Sequence, residues 1–196
     1  MHHSRKKTKK ELVFEAAGKL FMEKGYLAAS MRELAERVGL EQASSLYNHL
    51  KSKEEVLRKI CFDNAHKFIN GISEIEKKSV SSSEKIKQLI TLHIRVAIED
   101  YTSVTVFNDE WRHLSEPYLN DFLGLRRDYE NRFKKIIDEG ISNGAFRKTH
   151  SIVALYTILT SVRWIHYWYN EERDLSQKDL EKDITNLLLK GLEAEN

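Results

Sequence analysis

Two constellations in this 196-residue chain have residue types and spacing that could do chemistry. The first is Glu110 with His113, echoed by Asp63 with His66. An i, i+3 spacing puts both side chains on one helix face, and di-iron carboxylate bundles use Glu-x-x-His pairs together with two further inward glutamates. The remaining helical stripes supply no such glutamates, because Glu99 and Glu130 lie off them. A helical-bundle oxidoreductase using Glu110 and His113 is therefore the alternative reading. The expectation is a protein that is not an enzyme, with no catalytic residue, metal or cofactor; no nucleophile–base pair, glycine-rich phosphate loop or Cys/His cluster is readable. The second constellation is Gln42, Ser44, Ser45, Tyr47, Asn48 and His49, with Arg32 upstream and Lys53 downstream. From Gln42 to His49 the side chains are short or planar hydrogen-bonding groups with no acid among them. A solvated helix face usually carries Glu and Lys four apart; this composition suits base edges and phosphate oxygens.

The elements that hold the second constellation read as two short helices about a tight turn. Ser30 and Glu33 have capping-box spacing, so a helix starts at Met31. Met31, Leu34, Ala35 and Val38 form one apolar face, and Gly39 ends it. A second helix runs from about Gln42 to His49 with Leu46 and Leu50 inward. Small Ala35 and Gly39 let the two helices cross closely, as a helix-turn-helix requires. Ser52 and Glu55 start the next helix, where Lys53 is expected to touch a phosphate beside free backbone N–H groups.

Residues 8 to 60 resemble the DNA-binding domain of TetR-family transcriptional regulators. The matching features are Ala16-Ala17, Leu20-Phe21, Gly25-Tyr26, Ser30 to Ala35, Leu46 to His49 and Ser52-Lys53-Glu54, in fixed order. The step from Gly39 to Tyr47 is one residue longer than is common in the family, which leaves open which of Gln42, Ala43 and Ser44 meets a base. The resemblance implies a one-component regulator, expected to be a repressor, that binds operator DNA as a dimer and is released by a small molecule.

The fold class expected is all-α: a three-helix helix-turn-helix domain over 1–50, then a helical ligand-binding and dimerisation domain over 51–196. The first helix spans 8–24. Residues 52–78 read as one helix, so no flexible tether interrupts the chain there. Helices follow at 83–100, 104–114, 117–142, 150–169 and 176–193. The helix over 150–169 is apolar nearly all round, which requires burial on more than one side. Residues 150–170 and 176–193 are therefore read as a homodimer interface forming a four-helix bundle. Two-fold symmetry would also place two reading helices about one DNA turn, ~34–36 Å, apart.

Polar groups on the inner stripes mark an effector site. His93 lies on an apolar face, and Arg126 shares the stripe of Phe122, Tyr129 and Phe133. An inward arginine needs a carboxylate, a phosphate or water. Either an internal ion pair with Glu110 or Asp109 or an anionic ligand would satisfy it, and Arg163 poses the same question. Residues 107–169 also loosely resemble TetR-family members that respond to acyl-CoA thioesters, through Glu110 to Ser115, Arg126, Tyr129, Phe133, Gly140, Gly144, Phe146 and Trp164 to Tyr169. That resemblance implies an amphipathic anionic effector, and His93, Phe107, Glu110, Trp111, Arg126, Tyr129 and Arg163 are the candidate contacts.

Charge and composition agree with this division. Residues 1–66 hold 13 Lys/Arg against 9 Asp/Glu, and residues 67–196 hold 19 against 21, so the net +2 is concentrated at the reading end. The basic residues at 5, 6, 7, 9 and 10 are either a solvated terminus or an arm along the DNA. One cysteine excludes an intramolecular disulfide and fits a reducing cytoplasm. No apolar run approaches the ~20 residues that span a bilayer, and no leader is expected.

Overall fold

The computed structural model describes residues 7–169 and 175–194. Among them the helices are α1 (Lys9–Lys24), α2 (Met31–Arg37), α3 (Lys53–Glu76), α4 (Ser82–Glu99), α5 (Tyr101–Asp109), α6 (Tyr118–Ser142), α7 (Ser151–Arg163), α8 (Ile165–Trp168) and α9 (Gln177–Lys190). Short 3-10 helices occupy Ala43–Asn48 and Trp111–His113. The all-α expectation holds. Among the described residues, no helix is long and apolar enough to cross a membrane.

The helix starts follow from local chemistry. Thr8 and Glu11 form a reciprocal capping box before α1. Ser30 Oγ accepts the Glu33 N–H at 3.1 Å, and Ser81 does the same for Glu84 at 3.2 Å and Ser176 for Asp179 at 3.1 Å. Each serine satisfies one of the N–H groups that a helix start leaves without an intrahelical partner. Gly39, at φ +69°, closes the turn after α2 in a conformation that a side chain would strain.

Three expected helices differ in detail. The segment expected as one helix over 104–114 is α5, ending at Asp109, followed by the 3-10 turn at Trp111–His113. The helix expected over 150–169 breaks at Trp164, whose φ −88° and ψ −1° lie in the bridge region between α7 and α8. The second helix of the reading motif is a 3-10 helix with no side-chain cap bond at Gln42. A six-residue segment offers little cooperative gain to an α-helix.

The chain packs as two compact units, which differ from the expected 1–50 and 51–196 division: residues up to 64 with 102–122, and residues 65–101 with 123 onward. In the first unit, Val13, Ala17, Leu20, Leu34, Leu46 and Val56 are buried around the crossing of α1 with α2 and the Ala43–Asn48 turn. In the second, α4 is the central helix, packed against α7, α8 and α9. Ile86, Leu89, Ile90 and Ile94 are wholly buried there. Arg95 ties α4 to α9 by a forked pair with Glu181 at 3.1 and 3.2 Å. A Cβ on Gly140 would stand 2.1 Å from the Phe146 ring, so the ring can close over α6 only because that residue is glycine.

Candidate nucleic-acid interface and effector-site residues

The reading segment stands on a buried anchor. Leu46 and Leu50 are fully enclosed, while Tyr47 between them is 61 % exposed. In a 3-10 helix residues three apart eclipse, and the burial follows that period. Ala43, Leu46 and His49 turn inward or sideways, and Ser44 and Tyr47 turn out. Gln42 and Asn48 are exposed as well, whereas Ser45 and His49 are half-buried. The Ser44 hydroxyl reaches the Gln42 side-chain oxygen at 3.3 Å. The outward polar face is therefore Gln42, Ser44, Tyr47 and Asn48, narrower than the six residues expected. Arg32 is exposed on α2 and pairs with Glu36 at 3.2 Å.

Lys53 has a different setting from the one expected. Its ammonium donates to the carbonyls of Tyr26 at 2.6 Å, Ala29 at 2.9 Å and Leu27 at 3.4 Å, and it stands 4.3 Å from the Tyr26 ring centre. Partial burial lowers its pKa. Its three donors hold the loop between α1 and α2. Of the basic residues near the start, Lys7 bonds Glu15, Lys9 donates to the Val38 carbonyl at 3.0 Å, and Lys10 lies over the Phe14 ring. Residues 5 and 6 lie outside the described residues.

Sequence reasoning missed a set of groups in the first unit that fix the α1–α2 loop. His113 stacks on Tyr26 with ring centres 5.6 Å apart. Glu54 accepts hydrogen bonds from the Ser115 backbone N–H at 2.8 Å and from its hydroxyl. These bonds hold the Glu54 carboxyl below its ordinary pKa. In the sequence Ser115 and Gly25-Tyr26 stood only within the two family resemblances, with no contact expected of either. Asn64, wholly buried, donates to the Ile60 carbonyl at 2.9 Å and to the Ser103 hydroxyl at 2.6 Å.

The candidate effector residues fall in both units. In the first, Phe107 and Trp111 gather on Phe122, each ring 5.7 Å from it, and Phe62 completes the cluster at 6.3 Å. Glu110 faces His113 at 3.4 Å. In the second, His93 Nε2 and the Tyr129 hydroxyl are 2.8 Å apart. Arg126 pairs with Glu130 at 2.9 Å, one helical turn along α6, and Glu130 also accepts the Tyr156 hydroxyl at 3.1 Å. The ion-pair alternative for Arg126 thus has a partner in Glu130. Arg163 is half-buried in the last turn of α7.

The residue pairs of the metal alternative are not gathered into one cluster. Glu110 and His113 do not share an α-helix; Glu110 precedes the 3-10 turn that contains His113. Asp63 and His66 are both exposed on α3, and Asp63 accepts from Lys59 at 2.6 Å. Among the described residues no three His, Cys, Asp or Glu side chains gather as a metal would require. Cys61 is buried, and desolvation pushes its thiol up to about 12, so it stays protonated.

Comparison with known proteins agrees with the motif. Residues 13–60 match the family model described as bacterial regulatory proteins of the tetR family, and residues 79–192 match that of a tetracyclin repressor-like C-terminal domain. The chain is 23% identical over 187 residues to the HTH-type transcriptional repressor KstR2 of Mycolicibacterium smegmatis, covering 94% of this chain and 91% of the relative. It has the fold of the ketosteroid transcriptional regulator KstR2 of Mycobacterium tuberculosis, with a TM-score of 0.89, 20% identity and coverage of 97% and 98%. AibR in complex with isovaleryl coenzyme A and operator DNA is similar at a TM-score of 0.81, 18% identity and coverage of 93% and 98%. Since the C-terminal match alone spans more than half of the chain and the N-terminal match covers the whole reading motif, this protein belongs to the TetR family and is a helix-turn-helix DNA-binding transcriptional regulator rather than an enzyme.

Proposed function

We propose that this regulator is a cytoplasmic homodimeric repressor that grips operator DNA through its helix-turn-helix and lets go when a small amphipathic, anionic effector binds. The observation that carries the reading is the exposed polar face of Gln42, Ser44, Tyr47 and Asn48 seated on buried Leu46 and Leu50. A rigid apolar anchor behind a flat polar tip is what reading base edges in a groove demands. In functional terms the reader is residues 1–50, and 51–196 hold effector and partner.

Dimerisation is supported by the other exposed face. Val153 and Tyr156 on α7, Trp164 at the break, and Tyr167 and Trp168 on α8 are each at least 40 % exposed. An apolar patch of that kind marks a surface that associates. A second copy of the chain is the occupant that a two-fold operator reader needs.

The effector class is supported by the cation of Arg126 in the second unit and by the acyl-CoA bound by AibR. An acyl thioester of coenzyme A has the required apolar body and anionic head. To move the dimer from mostly bound to mostly free, it must favour the released state by about 5.5 kcal/mol. The test is to add octanoyl-CoA, palmitoyl-CoA or free coenzyme A to a preformed operator complex. Release by an acyl-CoA but not by coenzyme A is expected; release by none would remove the class. Replacing Arg126 with Met should abolish release and leave operator affinity unchanged.

A further inference from the structure

His93 and Tyr129 pair within the second unit in a setting that aromatic rings dominate. The Phe68 ring stacks on the imidazole at 4.5 Å and lies 5.8 Å from the Tyr129 ring, and Phe133 meets Tyr129 edge-on at 6.0 Å. Tyr129 is 7 % exposed and Phe133 wholly buried. Desolvation lowers the His93 pKa to about 3 and raises that of Tyr129, so both are neutral at pH 7. His93 nevertheless keeps part of its surface accessible, as do its neighbours Leu92 on α4 and Ile69 on α3. That accessible surface is where a ligand atom would reach the pair.

The protons of this pair can be counted. A neutral imidazole has one N–H and a phenol has one O–H. The single hydrogen bond between them at 2.8 Å uses one of the two. If Tyr129 donates to Nε2, the Nδ1–H is left over; if Nε2–H donates to Tyr129, the phenol O–H is left over. Either tautomer leaves one donor, and among the described residues neither side chain makes a second hydrogen bond. A donor held among apolar rings favours a ligand that supplies an acceptor over one of the same shape that does not. One neutral donor does not repay the desolvation of a buried carboxylate or phosphate, and it repels no carbonyl.

We propose that His93 and Tyr129 form a hydrogen-bonding subsite for a neutral carbonyl oxygen carried on the apolar part of the effector. The subsite rests on the effector-binding reading only in taking the second unit to accept a ligand. It says nothing about the anionic head. The carbonyl is either a ketone within the ligand body or the thioester carbonyl itself, and the two sources can be separated.

The test uses small probes without coenzyme A, so that its failure and that of the acyl-CoA class are told apart. The full-length protein is titrated with 2-octanone, with 2-methyl-1-octene, which has the same skeleton with a methylene in place of oxygen, and with S-methyl thiohexanoate. Affinities are read from line broadening of the probe's own NMR signals, which any variant allows, and contact at the pair from the imidazole 15N resonances of His93, assigned by their loss in His93→Phe. A carbonyl probe should shift the His93 resonances and the alkene should not. The larger shift and tighter binding, from ketone or thioester, identifies the source. In His93→Phe combined with Tyr129→Phe, the affinity ratio of carbonyl probe to alkene should fall about tenfold, the worth of one buried hydrogen bond. Either single substitution leaves one donor in place and should preserve most of the ratio. An unshifted His93, a ratio unchanged in the double variant, or no binding of any probe up to its solubility would overturn the proposal. The wild-type shift does not depend on the double variant, so misfolding of that variant cannot mask the outcome.

Discussion

Two exposed faces of this chain break the ordinary rule for surfaces in opposite ways. The reading face, from Gln42 to Asn48, is polar but has no charge, and its one large side chain, Tyr47, ends in a hydroxyl. The α7–α8 face is aromatic and aliphatic, with Val153, Trp164 and Tyr167 at least half exposed. A plain solvated face would carry Lys and Glu; neither does. The difference teaches which partner each face awaits. Neutral hydrogen-bonding groups exchange water for base edges and phosphates at little desolvation cost. Large apolar rings gain only by leaving water altogether, which a second copy allows.

Substitutions can break that comparison. The largest effect is expected from Val153→Glu with Trp164→Glu. Two-fold symmetry counts each new charge twice, and an unpaired charge in a desolvated interface costs several kcal/mol. The dimer should dissociate by about 1000-fold or more in sedimentation velocity, with operator affinity falling alongside. A stable dimer would place the interface elsewhere. Next is Tyr47→Ala, where loss of a central aromatic contact is worth about 2–4 kcal/mol. Operator binding should weaken roughly 100-fold in anisotropy titrations while the sedimenting species is unchanged.

A third effect is set by pH. His93 is held neutral in the fold, with a pKa near 3 against an ordinary 6.5, so it takes up a proton on unfolding below pH 6.5. Its contribution is fully present above that pH and is lost as pH falls toward 3. Between pH 7.5 and pH 5 this is worth at most about 2 kcal/mol. The rings packed on it, Phe68 and Tyr129, carry no charge over that range. Urea melts of wild type should lose that stability on acidification, and His93→Phe should lose about 2 kcal/mol less.

The smallest effect separates holding from touching. Lys53→Met should weaken operator binding several-fold through the loosened α1–α2 loop. The slope of log affinity on log salt should stay the same, because the ammonium is engaged with the Tyr26, Leu27 and Ala29 carbonyls. A slope reduced by about one would make Lys53 a phosphate contact.

Much of the fold was legible because helix starts and apolar periods are local signals. Thr8, Ser30, Ser81 and Ser176 cap the helices that follow them, and the stripe of Phe122, Tyr129, Phe133 and Ile137 faces inward along α6. The breaks were not legible. Nothing in the apolar run of α7 announces the turn at Trp164, since every residue around it suits a helix. The 3-10 form of the reading segment was hidden likewise: its spacing of Leu46 and Leu50 fits an α-helix, and only in the structure do half-buried Ala43 and His49 flank buried Leu46 at a period of three. Nonlocal partners were the least readable. That Lys53 turns to the 26–29 loop, or Glu54 to Ser115, depends on chain returns that no window of sequence contains.

The most direct measurement is fluorescence anisotropy of the purified protein on a duplex from its own upstream region, against a scrambled duplex, at two salt concentrations. Tight binding that prefers the upstream sequence and weakens steeply with salt is expected, since phosphate contacts release counterions. Equal, weak binding to both duplexes, persisting when a random-sequence library is offered for selection, would contradict the account of the Gln42–Asn48 face.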